Sequence, residues 1–213
     1  MEVIRKKKKV SNPFYFSLIF NGNKERGNMF GNIKEGNILI GDSEMQYVVF
    51  GKGDRSLVII PGLSDGIRTV KGTKLILWQQ FRKFAIGYKV WVFSRKNKLK
   101  PQMTTREMAE EQALAMDKLG INKACIMGIS QGGMIAQWMA IDYSQKVDKM
   151  ILVVTISRAN NTIQSVIGHW IYLAEKEEYD KLAIDNLEKN YSEKNIKKIR
   201  PFFLFAKKSI KPV

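Results

Sequence analysis

The sequence is poor in the residues that carry redox and metal chemistry. It has one cysteine, Cys125, and one histidine, His169, in 213 residues. A single cysteine excludes an internal disulfide framework and fits a reducing compartment. Cys125 lies in the apolar run at residues 124–127, so we expect a buried side chain rather than a reactive thiol. There is no His or Cys cluster at metal-ligand spacing and no Gly-x-x-x-x-Gly-Lys-Ser/Thr phosphate loop, so the sequence predicts neither a metal site nor a bound cofactor.

Long hydrophobic runs are also missing. No segment approaches the roughly 20 apolar residues of a membrane-spanning helix, so we predict no membrane span. The lysines at residues 6–9 precede an apolar stretch at residues 14–20, which resembles a secretory leader. That stretch is short, follows Pro13 and leads to no small-residue cleavage site. We therefore expect a soluble, cytoplasmic protein whose residues 1–32 form an N-terminal extension.

Acidic residues are scarce relative to basic ones. Lys and Arg number 36 against 20 Asp and Glu, which gives a net charge of +16. Such a charge favours polyanion binding as a minor hypothesis. However, the excess is scattered lysine, with denser runs at residues 6–9 and 207–211, and it is not interleaved with aromatics. We predict no specific nucleic-acid partner, and the sequence does not indicate an oligomeric state.

The hydrophobic pattern predicts an α/β fold. Strand-like segments at residues 37–40 and 45–50 flank a turn and indicate a hairpin. Apolar strands at residues 56–60, 89–93, 123–127 and 149–154 alternate with helical patterns at residues 74–85, 104–119 and 130–143. This alternation predicts a doubly wound, mostly parallel sheet over residues 33–157. Only helical patterns follow, at residues 162–174, 179–190 and 193–205, and they define a helical segment over residues 158–213.

One motif indicates nucleophilic catalysis. Residues 128–132 read Gly-Ile-Ser-Gln-Gly, and they lie directly between a buried strand and a helix. A sharp strand-to-helix turn strains the backbone at Ser130 and exposes its hydroxyl, while the flanking glycines avoid a collision across the turn. The first N–H groups of the helix then point to the place where an oxyanion would develop. The motif predicts that Ser130 is the serine of a nucleophile elbow.

A second loop is a candidate for the same site. The strand at residues 56–60 ends in the Gly-containing sequence Pro-Gly-Leu-Ser-Asp-Gly at residues 61–66. Alone, this is an ordinary strand-to-helix turn. Together with the elbow, it predicts a loop that supplies a backbone N–H to an acyl-transfer site.

Residues 37–157 resemble the first six strands of the α/β-hydrolase superfamily. The resemblance implies an esterase-like serine hydrolase that acts on a small ester, amide or thioester, with Ser130 as nucleophile. It also implies an oxyanion hole formed by the N–H groups of Gln131 and Leu63, and a helical cap from Arg158 onward. Many members have His-Gly where this sequence has Pro-Gly at residues 61–62, which leaves the substrate class open.

The rest of the catalytic machinery is not evident. In the family an acid usually follows the seventh strand and a histidine the eighth, and neither strand is recognisable after the cap, so we expect a chain truncated before them. Some relatives carry the acid after the sixth strand, where this sequence has Thr155. His169 as a substitute base and Asp65 as a stray acid are alternatives at positions that suit these roles poorly. The sequence therefore leaves two hypotheses: an incomplete serine hydrolase, or a non-catalytic pseudoenzyme or degenerate gene product that keeps the fold.

Overall fold

The computed structural model describes residues 33–63, 69–193 and 195–196. These residues form six strands: β1 (Lys34–Ile40), β2 (Ser43–Phe50), β3 (Arg55–Ile60), β4 (Tyr88–Lys96), β5 (Ala124–Ile129) and β6 (Val147–Val153). They also form five α-helices: α1 (Lys74–Phe81), α2 (Thr105–Lys118), α3 (Gln131–Asp142), α4 (Asn161–Glu175) and α5 (Tyr179–Asn190). Short 3-10 turns follow α1 at Phe84–Ile86 and α3 at Ser144–Lys146.

The strands form one mixed sheet in the order β1-β2-β4-β3-β5-β6. The β1–β2 hairpin pairs antiparallel to β4, and β4, β3, β5 and β6 run parallel to one another. The chain moves from β3 to β4 on one side and then to β5 on the other. The order therefore reverses at β3, and in open α/β sheets ligands bind at the carboxyl ends of the strands at such a switch point.

Helices cover both faces of the central strands. The side chains of β3 show this, since they alternate between two apolar clusters. Val58 and Ile60 pack in the cluster that includes Met116 of α2 and Ile135 of α3. Leu57 and Ile59 belong to the other cluster, which includes Leu77, Trp78 and Phe81 of α1. Both faces of the sheet are thus buried, and the predicted doubly wound, mostly parallel α/β fold is confirmed.

Some boundaries and orientations differ from the sequence predictions. Helix α1 ends at Phe81 rather than at residue 85, and strand β4 continues to Lys96, beyond the predicted end at residue 93. Leu75 of α1 and Leu114 of α2 are exposed, whereas Gln112 of α2 is buried. Contacts with the sheet, rather than hydrophobicity alone, therefore decide which helix positions are buried.

Contacts divide the described residues into two compact units, one ending at Ser157 and the other beginning at Arg158. In the second unit, α4 and α5 are joined by a hydrogen bond in which Trp170 Nε1 donates to Asp185 Oδ2 at 2.6 Å. The predicted extension at residues 1–32 and most of the predicted helix at residues 193–205 lie outside the described residues. No helix in the described ranges combines the length and the apolar character needed to cross a bilayer.

Candidate active site

Ser130 lies between the end of β5 and the start of α3. Its backbone has φ 53° and ψ −120°, a combination that non-glycine residues rarely adopt and that costs free energy. Neighbouring backbone groups hold it there: Ser130 N–H donates to the Val153 carbonyl at 2.9 Å, and Gly133 N–H donates to the Ser130 carbonyl at 2.9 Å. The structure therefore gives Ser130 the strained strand-to-helix turn that the motif predicts.

The glycines of the motif allow β3 and α3 to approach closely. A Cβ at Gly132 would overlap the Ile60 carbonyl group, and a Cβ at Gly128 would overlap the backbone of Gly132. Neither position has a positive φ, so glycine is required there by the lack of space for a Cβ and not by the backbone conformation. The contact brings the end of β3 next to the first turn of α3.

The loop after β3 lies against Ser130. A Cβ at Gly62 would be 3.3 Å from Ser130 Cβ and 3.9 Å from its Oγ, and Leu63 follows with its side chain exposed. Among the described residues, no group accepts a hydrogen bond from the N–H of Leu63 or of Gln131. The structure thus brings Ser130, Gln131 and the loop of Leu63 together. Ser64 and Asp65 lie outside the described residues, so the alternative acid at Asp65 remains untested.

Comparison with known proteins identifies the family. The family model for the alpha/beta hydrolase fold matches residues 57–183, which is more than half of the chain. The chain belongs to the α/β-hydrolase family.

Individual relatives of this α/β-hydrolase chain carry several activities. It is 28% identical over 166 residues to a 2-hydroxy-6-oxononadienedioate/2-hydroxy-6-oxononatrienedioate hydrolase from Pseudomonas sp, covering 73% of this chain and 52% of that protein. It is 38% identical over 58 residues to a homoserine O-acetyltransferase from Thermus thermophilus, covering 27% of this chain and 15% of that protein. A crystal structure of a hydrolase from Pseudomonas aeruginosa matches with a TM-score of 0.65 at 16% identity, covering 83% of this chain and 66% of that one. The chain therefore spans about half or less of the length of these two curated relatives.

Thr155, which follows β6, supports the turn at Ser130. Its Oγ1 donates to the Ser130 carbonyl at 2.7 Å, and a Cβ at Gly133 would contact the Thr155 side chain at about 2.5 Å. Sequence reasoning considered this position only as a place where relatives carry an acid. The structure shows that the Thr155 side chain is bound to the backbone of Ser130.

The residue before Thr155 is strained. Val154 has φ 44° and a side chain that is 82% exposed. A β-branched residue with positive φ is unfavourable by about 1–2 kcal/mol, and little burial offsets this cost. The turn at Val154 leads the chain from β6 to the position where Thr155 contacts Ser130.

We expect Val154→Gly to raise the free energy of unfolding by up to about 1 kcal/mol. Glycine removes the strain of the positive φ, and its extra freedom in the unfolded chain offsets only about 0.5–1 kcal/mol of that gain. Urea denaturation measures the change. Val153→Gly changes the preceding residue, the last of β6, and serves as the control. It should be destabilising. A Val154→Gly variant that is less stable than the wild type would contradict the inference that Val154 is strained.

No base or acid is bonded to the Ser130 hydroxyl in the described parts of the chain. Ser130 Oγ has no hydrogen-bond partner there, and the only histidine, His169, lies on α4 in the other compact unit, where its side chain is exposed. The pKa of the nearby Asp185 carboxyl is lowered, chiefly by the hydrogen bond from Trp170 and also by Lys189 and His169. The substitute base at His169 stays one of the alternatives that the sequence left open. The described residues contain no group of three or more His, Cys, Asp or Glu side chains suited to a metal ion.

Sequence reasoning missed one further residue at the site, Arg95. It is the second-last residue of β4 and only 1% exposed, and its Nη2 donates to the Pro61 carbonyl at 2.9 Å. A signal for it exists in the sequence. Arg95 follows a run of apolar strand residues, and in a parallel sheet that position lies at the same edge as the end of β5.

Proposed function

We propose that this chain carries the nucleophile and the oxyanion hole of a serine hydrolase that acts on a small ester, amide or thioester. The observation that carries the proposal is the conformation of Ser130, at φ 53° between β5 and α3. An elbow of this kind exposes the serine hydroxyl beside the first N–H groups of a helix. The matching hydrolases and acetyltransferases support a small-molecule substrate.

In the proposed reaction, Ser130 Oγ attacks the substrate carbonyl carbon and loses its proton to a general base. The carbonyl oxygen becomes an oxyanion that accepts hydrogen bonds from the N–H groups of Gln131 and Leu63. These N–H groups have no other acceptor among the described residues, so they are available to the transition state. The protonated base then gives this proton to the alcohol, amine or thiol that the tetrahedral intermediate expels. Water hydrolyses the acyl-serine, which restores the Ser130 hydroxyl and releases the acid.

A non-catalytic protein that keeps the fold is the second candidate. It is favoured by the absence, in the described residues, of any hydrogen bond to Ser130 Oγ. A serine hydroxyl without an adjacent base is a poor nucleophile. The two candidates therefore differ in whether Ser130 is activated.

A fluorophosphonate probe distinguishes them. If Ser130 is activated, the folded 213-residue chain should be labelled covalently, and Ser130→Ala should abolish the labelling completely. Ser144→Ala removes another exposed serine, in the 3-10 turn after α3, and should leave labelling unchanged. Intact mass spectrometry with peptide mapping measures both results. A folded chain that is not labelled, or is labelled at another residue, would favour the non-catalytic protein.

A further inference from the structure

Arg95 is an unusual side chain for the interior of this fold. It is 1% exposed and is the largest of the fully buried side chains in the described part of the chain. Burial lowers the pKa of its guanidinium to about 10, although the nearby Glu111 carboxylate opposes this effect. The guanidinium still remains charged at neutral pH, and a buried cation is costly unless its environment compensates for the lost hydration.

The hydrogen bonds of Arg95 compensate only in part. Its Nη2 donates to the Pro61 carbonyl at 2.9 Å and to Gln131 Oε1 at 3.4 Å. Its Nε and Nη1 are buried and have no partner among the residues that the structure describes. Buried polar groups without partners reduce stability, so stability alone does not account for an arginine at this position.

The two acceptors belong to the two segments that meet at Ser130. Pro61 begins the loop that continues to Gly62, which packs against Ser130, and then to Leu63. Gln131 directly follows Ser130. One amino group thus ties together the two segments whose N–H groups have no other acceptor in the described residues.

The end of β4 is itself firmly held. Gln112 Nε2 donates to the Ser94 carbonyl at 3.1 Å, and Ser94 Oγ accepts from Val70 N–H at 2.7 Å. Both hydrogen bonds are buried. Arg95 therefore extends from a rigid strand to the loop after β3 and to the first residue of α3, and support from rigid elements of this kind fixes a site geometry to within about 0.5 Å.

We infer that Arg95 is a positioning residue, which fixes the N–H groups of Leu63 and Gln131 relative to Ser130 by binding the Pro61 carbonyl and the Gln131 amide oxygen. The inference rests on the proposed role of these N–H groups as the oxyanion hole. The N–H groups of Arg95 that have no partner in the described residues add positive potential on the side of the site where the oxyanion develops. Displacement of the donors by about 1 Å is enough to slow such a reaction about 100-fold.

The first test measures fluorophosphonate labelling. Arg95→Met replaces the guanidinium by an apolar side chain, and we expect the second-order rate constant of labelling at Ser130 to fall about 100-fold. Arg106→Met is the matched control, because Arg106 pairs with Asp142 at the far end of α3 and should leave the rate unchanged. A folded Arg95→Met protein that is labelled at the wild-type rate would overturn the inference.

The second test does not depend on an activated serine. In a Ser130→Cys background, the pH dependence of iodoacetamide alkylation gives the pKa of the introduced thiol. Nearby N–H groups and an arginine lower a thiol pKa, so adding Arg95→Met should raise it by about 1. Alkylation of the wild-type chain measures the contribution of Cys125, which is to be subtracted. This contribution should be small, because Cys125 is buried and burial raises the pKa of its thiol.

The two tests separate the inference from the proposed function. If the wild-type chain is not labelled but the introduced thiol depends on Arg95, the proposed function is wrong and the positioning role stands. If the thiol pKa is the same with and without Arg95, the positioning role is overturned. If Arg95→Met does not fold, Gln131→Ala tests the inference in its place. This change removes one acceptor of Arg95 and keeps the backbone N–H of residue 131. A thiol pKa raised by Gln131→Ala supports the inference, and an unchanged one overturns it.

Discussion

Gly132→Ala is expected to lower the free energy of unfolding by about 3 kcal/mol, at the upper end of the usual range for overpacking. A Cβ at Gly132 would overlap the Ile60 carbonyl group and approach that of Pro61. Both obstacles are backbone atoms, so no side chain can rotate away and α3 must move from β3. Urea denaturation monitored by tryptophan fluorescence measures the loss.

Gly87→Ala is the matched control for this substitution. Gly87 has φ −115°, which alanine adopts without strain, and a Cβ there would meet nothing within 4 Å. We expect its stability to equal that of the wild type or to exceed it by about 0.5 kcal/mol, since alanine reduces the freedom of the unfolded chain. If Gly132→Ala were as stable as Gly87→Ala, the inference that β3 and α3 approach too closely at Ser130 to admit a Cβ would be wrong.

The turn at Ser130 was predictable from sequence because part of its motif has a local cause. A Cβ at Gly128 would overlap the backbone of Gly132, across a strand, a sharp turn and a helix that are adjacent in sequence. The contact of Gly132 with Ile60 instead joins α3 to β3, which is distant in sequence. The strands and most helices were predicted for a similar reason, because continuous apolar runs indicate strands buried on both faces.

Residues outside the motif were harder to predict because distant contacts define them. Arg95 follows the apolar run of β4, and its polarity favoured a loop; only the pairing of β4 with β3 brings it to Pro61. Val154 has a β-branched side chain that predicts continued strand, yet the connection to Thr155 forces its φ to 44°. The order of strands around β3 is also non-local, although the rule for switch points predicts that the ends of β3 and β5 form the site. Local sequence therefore predicts the strained turn at Ser130, while the tertiary fold determines which residues support it.

Lys96→Met is expected to lower the free energy of unfolding by about 3 kcal/mol at pH 7. Lys96 Nζ lies 3.0 Å from Glu111 Oε1, and each side chain is 9% exposed. Removing one partner leaves the other charge buried and uncompensated, which typically costs about 3–5 kcal/mol. Glu111 is poorly placed to tolerate this loss, because its Oε2 already has no hydrogen-bond partner within the described ranges.

The destabilisation should shrink as the pH falls. Burial already raises the pKa of Glu111 above its ordinary value, with Lys96 opposing the rise, so Lys96→Met should raise it further. A carboxyl with a higher pKa in the folded state binds more protons folded than unfolded, and the unfolding free energy therefore increases as the pH decreases through that range. Urea denaturation of the variant at pH 7 and pH 5 should show greater stability at pH 5, relative to wild type.

Two further variants test whether the ion pair is the cause. Lys96→Met combined with Glu111→Leu removes both charges and should recover most of the stability, because an apolar pair replaces a buried ion pair at little cost. Recovery should be incomplete, since Glu111 also stabilises the charge of Arg95. Asp42→Ala removes a carboxylate that lies 4.0 Å from Lys96 with its side chain 85% exposed, and should change stability by less than about 0.5 kcal/mol. If the single and double variants lost equal stability at both pH values, the contribution of Lys96 would come from the packing of its aliphatic stem rather than from its charge.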